Sequence, residues 1–300
     1  MTRRSIAPIV LTAVAVGVLM AAAAGLQLVR ERTAALSNQH EETLYLTSGK
    51  ALRAITIGYA ALAADVYWIR AIQHFGGKHV GRTSDFPLLY PLLDLTTTLD
   101  PHFSIAYRFG SIFLGEPSPG GAGRPDLAIA LLQKGIREMP DKWEYVVDIG
   151  FVHYWWRHDF VEAAAWFERA SHLPKAPSWL PSMAATTLAR GGDRASSRRM
   201  WEALRESADN DWLRGSADRA LMQLHALDEM DQLQQVVNRM AANGGAFRIT
   251  GQVAQINGRV IVDPTGVPYE VDTAGRVHLG KQSTLAPLPT QAGSQNAPVS

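Results

Sequence analysis

The residues best suited to chemistry fall into a few short groups. Gly76-Gly-Lys-His-Val-Gly81-Arg82-Thr83 comes near the phosphate-cradling loop GxxxxGK[ST], where glycines let backbone N–H groups approach phosphate oxygens and a lysine neutralises them. Arg82 stands in the lysine position and a helical pattern, not a strand, precedes the loop, so nucleotide is not expected. His153, His158, Asp159 and His172 are the densest set of zinc-ligand types. One helix face offers two histidines at i and i+4, whereas His153 and His158 are five apart and no HExxH-type glutamate accompanies them. They are read as structural or surface histidines. Asp263-Pro-Thr-Gly266 resembles a phosphorylated-aspartate motif but lacks its basic residue and a nucleotide-binding domain, and a turn accounts for it. No GxSxG or Ser/His/Asp ordering supports a hydrolase, and Glu41-Glu42 falls in a linker. The chain is therefore read as a binding protein and not an enzyme, with no cofactor and no metal.

The bulk properties narrow the classes further. A net charge of +1 gives no global attraction to phosphate backbones, so no nucleic acid is expected. With 47% hydrophobic residues among 300 the chain can bury a sizeable core, and with no cysteine it holds that core by packing alone.

Residues 6–29 are apolar and carry no charge until Arg30, after Arg3 and Arg4 near the start. A helix of roughly 20 apolar residues crosses a bilayer, and basic residues on the short side favour keeping that end in the cytoplasm. Residues 1–30 thus read as a single-pass inner-membrane anchor, with the rest in the periplasm or outside the cell. The competing reading is a cleaved signal peptide, for which Met20-Ala-Ala-Ala-Ala-Gly25 offers small residues.

After a linker at 31–48, residues 49–244 alternate apolar helical patterns with short breaks. The pattern over 49–75 is apolar around most of its circumference, which predicts a helix packed between neighbours. A loop at 76–84 and a helix at 86–99 complete a hairpin. Further helices are expected at 102–114, 126–139, 142–156, 160–172, 178–190, 194–208, 211–227 and 229–242. Repeated helix, short break, helix is the mark of a solenoid. Residues 245–281 should form a cap in which 269–271 and 276–279, separated by a turn, pair as a hairpin. From Gln282 to Ser300 the polar, Pro-rich composition predicts a disordered tail.

Trp143 to Pro174 carries the clearest repeat. Ile149-Gly150 and Tyr154 lie in its first helix, Asp159-Phe160 at its turn, Ala163, Phe167 and Ala170 in its second helix, and Pro174 at its end. A second unit has Phe109-Gly110, Ala128 and Pro140, and a third Ala184-Ala185, Gly192-Asp193, Trp201 and Leu204. These positions resemble the tetratricopeptide repeat family, in which small residues sit where two helices cross. One extra residue in the first turn and about six in the second depart from the family pattern. The closing DPTGVPYEVD segment also looks like that of an uncharacterised group of bacterial membrane-anchored repeat proteins, which suggests capping of the last repeat.

The resemblance implies an all-α solenoid of helical hairpins with one N-terminal transmembrane helix and a small C-terminal β-hairpin cap. It also implies a concave face lined by the first helix of each repeat, which assigns partner binding to Tyr107, Glu144, Val147, Phe151, Tyr154, Trp155, Trp179 and Arg190. Aromatic residues and arginine are the types enriched where interfaces concentrate binding energy. The expectation is an adaptor or scaffold holding a protein or peptide partner at the membrane. A permanently assembled subunit of a secretion or pilus system is the alternative.

Overall fold

The computed structural model describes residues 17, 20, 25, 52, 53, 56, 58–80, 85–242, 252–256 and 259–289. The chain divides into two units, Met1–Thr47 and Ser48–Ser300. In the first, only Gly17, Met20 and Gly25 are described, each helical, so the expected anchor at 6–29 and linker at 31–48 lie outside the described residues. No helix among the described residues is long and apolar enough to cross a membrane.

The second unit is mostly helical. Its described helices are α1 (Ala60–Val80), α2 (Leu89–Leu99), α3 (Ser104–Gly115), α4 (Pro125–Glu138), α5 (Trp143–Phe151), α6 (Phe160–Ser171), α7 (Leu180–Arg190), α8 (Arg194–Ser207) and α9 (Asp211–Ala242). A π-helical turn, Val152–Arg157, extends α5. The ends follow local chemistry. Proline opens α4 in its first turn, where its missing N–H costs nothing, and Asp126 and Arg137 match the helix dipole. The carboxylates of Asp159 and Asp193 cap α6 and α8 by accepting from Glu162 N at 3.1 Å and Ser196 N at 3.0 Å. His158, with φ 52°, closes the π turn in the left-handed region.

Consecutive helices pack in pairs, α1 with α2, α3 with α4, α5 with α6 and α7 with α8, and each pair packs on the next. Contacts also skip one helix, α2 to α4 and α3 to α5. Lys134 of α4 makes one such tie, donating to Asp94 Oδ1 of α2 at 2.7 Å and to Thr98 Oγ1 at 2.6 Å. Where helices cross, small residues make room. A Cβ built on Gly150 would lie 2.5 Å from the Phe167 ring, and one on Gly110 would lie 2.9 Å from Leu93. Val146, Val147, Ala163, Phe167, Ala170, Leu180 and Ala184 form the central core cluster across three helices.

Three expectations need correction. Helix α1 runs on through Gly76 and Gly77 to Val80, so the segment expected to open a loop at Gly76 spends its backbone N–H groups inside a helix. The pair expected at 211–227 and 229–242 is the single 32-residue helix α9. Neither proline nor glycine interrupts it after Gly215, and Asp228, at the expected break, is bound by Arg198 at 2.5 Å and Arg194 at 3.2 Å from α8. The tail expected to be loose from Gln282 stays packed at least to Leu288: Leu285 is buried against α9, and Gln223 donates to the carbonyls of Leu285 and Pro287 at 2.7 and 3.0 Å.

In the cap, β1 (Gln252–Val253), β4 (Glu270–Val271) and β5 (Val277–His278) form one antiparallel sheet in the order β1-β4-β5. β2 (Gln255–Ile256) pairs with β3 (Arg259–Val260). The expected hairpin forms with Glu270 opposite His278 and Val271 opposite Val277, turning at Gly275 with φ 79°. Tyr269, Val271, Val277 and Leu285 pack on Ala226, Leu233 and Val237 of α9. The Tyr269 hydroxyl donates to Glu229 at 2.7 Å. Burial, then that carboxylate, push its pKa above tyrosine's ordinary value.

Candidate partner-binding surface

The eight residues assigned from sequence separate into three groups. Tyr107 and Val147 are core and present nothing to a partner, which corrects their assignment. Tyr107 is fully buried, its ring 5.2 Å from that of Tyr145 and its hydroxyl 3.4 Å from the Thr97 carbonyl. Val147 is buried in the core cluster that also holds Phe167 of α6 and Ala184 of α7.

Glu144 and Trp179 belong to one end of the surface. Glu144 lies in the first turn of α5, 3.8 Å from Lys142 Nζ, and lines a cleft of about 460 Å³ with Trp143, Pro174 and Lys175. Trp179 immediately precedes α7, four residues beyond Lys175, and is 43% exposed.

Phe151, Tyr154, Trp155 and Arg190 come together at the other end, roughly 16 Å along α5 and α7 at 1.5 Å per residue. Phe151 stacks on Trp155 with centroids 4.6 Å apart and meets Phe167 edge-on at 5.1 Å, so the core ring steadies the surface one. Tyr154 stands edge-on to Trp155 at 6.0 Å and to Phe160 at 5.2 Å. The Arg190 guanidinium donates to the Tyr154 hydroxyl and lies 5.4 Å from its ring centre. Trp155 is 55% exposed and is the outermost of the group.

The π turn produces this arrangement. Its wider winding turns His153 inward and Trp155 outward while Trp156 fills the space over Gly115. On the adjoining α3, Arg108 donates to both oxygens of Asp148 at 2.6 and 3.1 Å, tying α3 to α5. Burial outweighs that arginine and leaves the Asp148 carboxyl above its usual pKa.

His153 is buried, and among the described residues its Nδ1 has no hydrogen-bond partner. Burial, reinforced by Arg157, lowers its pKa below the ordinary 6.5. The folded state thus disfavours the imidazolium: its stability is complete above about pH 6.5 and falls as pH drops through that value toward the folded pKa. Chemical denaturation at pH 7.5 and 5.5 should show lower stability at the acid pH, and His153→Gln should remove most of that difference. An unchanged difference in the variant would assign it to other groups.

Reasoning from sequence assembled the Phe151, Tyr154, Trp155 and Arg190 group but missed two parts of the surface. Phe160, which holds Tyr154 edge-on, was read only as a turn residue. Lys175, at the cleft with φ 61°, carries no signal beyond its place between two prolines. Among the described residues no three His, Cys, Asp or Glu side chains gather to hold a metal ion. The surface offers aromatic faces and a guanidinium, a set suited to contact. Comparison of the chain with protein-family models, curated proteins and solved structures finds no match.

Proposed function

We propose that the chain is a membrane-anchored adaptor of the bacterial envelope, a tetratricopeptide-type array held at the inner membrane through residues 6–29. In this reading a protein or peptide partner binds on α5 and α7 from the periplasmic side. One observation carries it: Trp155 stands more than half exposed on a base of Phe151, Tyr154 and Arg190, which are held by stacking and a hydrogen bond. A large ring kept at the surface in a preset position gives contact area with little ordering cost, as interaction hot spots do. Trp179 and the Glu144 cleft extend the same face.

The test is a photoreactive residue at Trp155, and separately at Trp179, in cells producing the full chain. A discrete adduct is expected at Trp155. Arg190→Ala should weaken its formation by about thirtyfold, the loss that accompanies roughly 2 kcal/mol at a hot spot. Adducts confined to the chain itself at both positions would end the adaptor reading. The permanently assembled subunit is favoured by a different observation, the exposed apolar residues of α1 and α3, among them Leu62, Ile69, Ile105 and Phe109.

A further inference from the structure

Helix α1 is apolar on two sides. Ala64, Tyr67 and Ala71 face the chain's own core, while Tyr59, just before the helix, and Leu62, Val66 and Ile69 on its other side are 50 to 72% exposed. A helix apolar around its circumference is ordinarily buried around its circumference, and here a neighbour covers one side only. The exposed side has a definite spacing. Tyr59, Leu62, Val66, Ile69 and Gln73 follow one another at intervals of three, four, three and four, the a and d positions of a heptad seam.

We infer that this seam binds a second copy of the chain, α1 against α1 in parallel, as a short two-stranded coiled coil. Charge selects both the occupant and its direction. With Tyr59 and Val66 at a, Asp65 occupies a g position and Arg70 the e position five residues later. In a parallel pair, g of one helix meets e of the next heptad on the other, so each Asp65 faces an Arg70 of the second copy. An antiparallel pair would set g against g and e against e, like charge on like. Among the described residues, the Asp65 carboxylate has no ion pair and accepts no hydrogen bond, and Arg70 has only the Tyr67 ring, 5.5 Å from its guanidinium carbon. Val66 at a with Leu62 at d suits two strands.

Two heptads alone are short, but the surface continues. Phe113 of α3 stacks on Phe75 at 4.1 Å and on Trp68 at 6.3 Å, and Phe109 lies 6.5 Å beyond it. Exposed apolar side chains continue along α3 at Ile105, Phe109 and Ile112. A parallel pair also brings the two Tyr59 ends together. This inference does not depend on the adaptor reading.

The absence of cysteine makes the test direct. Leu62→Cys and Ile69→Cys, each in the full chain in detergent, should both form self-crosslinked dimers on oxidation, since identical positions face each other only in a parallel register. Crosslinking only when the two variants are mixed would overturn the parallel assignment. By light scattering the unsubstituted chain should have twice the 32.8 kDa monomer mass, and Ile69→Glu should reduce it to one. Asp65→Arg should weaken the dimer about tenfold, and Asp65→Arg with Arg70→Asp should restore it. A monomeric chain overturns the inference and leaves the face to lipid or another protein. A dimer indifferent to Ile69→Glu overturns it in favour of another contact, such as residues 6–29.

Discussion

Replacing Phe167 with alanine should destabilise the helical array by about 3–5 kcal/mol, the range for deleting a fully buried aromatic side chain. Its ring fills the crossing of α5 and α6, and its edge meets Phe151 beneath the exposed Trp155. The loss should therefore reach the surface and loosen the base on which Trp155 stands. The companion change is Gly150→Ala, whose new Cβ would lie 2.5 Å from the Phe167 ring and should cost roughly 1–3 kcal/mol by overpacking. In the Phe167→Ala background the obstacle is gone. There Gly150→Ala should become stabilising by up to about 1 kcal/mol, because alanine is the better helix former. Additive effects in the double variant would show that the two sites do not meet as described.

Asp263→Ala should release the cap. The Asp263 carboxylate is 3% exposed; one oxygen accepts from Thr265 N at 2.8 Å, Val267 N at 3.0 Å and Thr265 Oγ1 at 2.6 Å, and the other accepts from Ser283 Oγ. Removing it strands several buried donors at once, for a loss of about 2–4 kcal/mol. Burial acts to raise its pKa, but the bonds from Ser283, Thr265 and Val267 outweigh burial and hold the carboxyl below its ordinary 3.8. Its contribution to stability is thus complete above about pH 3.8 and is lost as pH falls through the lowered folded value. Hydrogen exchange is the measurement. The amides of Thr265, Val267 and Tyr269 should exchange far faster in the variant, while those of α5 and α6 keep their protection. Equal acceleration throughout would mean that Asp263 supports the whole chain rather than the cap.

What could be read from sequence follows how local each determinant is. Helix ends marked by a proline or a capping aspartate, at Pro140, Pro174, Asp159 and Asp193, fall within a residue or two of expectation, because the cap acts within one turn. The Asp272–Gly275 turn and its hairpin were legible for the same reason. Errors arose where a distant partner decides. Gly76 and Gly77 weaken a helix by about 1 kcal/mol each, yet α1, packed on α2, continues past them. Asp228 looks like a break until the arginines of α8, some thirty residues away, bind it. Tyr107 and Val147 share a helix face with exposed residues in the pattern, but whether that face is covered depends on how far the adjoining helices reach across it. The aromatic group around Trp155 could be named, though not the way it is aimed, because the π turn that aims it has no sequence signature in a single chain.

One consequence of the unbroken α9 concerns how the molecule comes apart. Its earlier turns, with Ala217 and Leu224, lie in the core shared with α7 and α8, and its later turns, with Leu233 and Val237, lie in the core shared with the strands. A repeat array of separate hairpins can fray from its end, one unit at a time. A helix common to two cores cannot leave either without stripping the other, so fraying at this end has no cheap first step. Opening there is cooperative across helices and sheet, and a protease or unfoldase starting from the C-terminal side must disrupt both cores together.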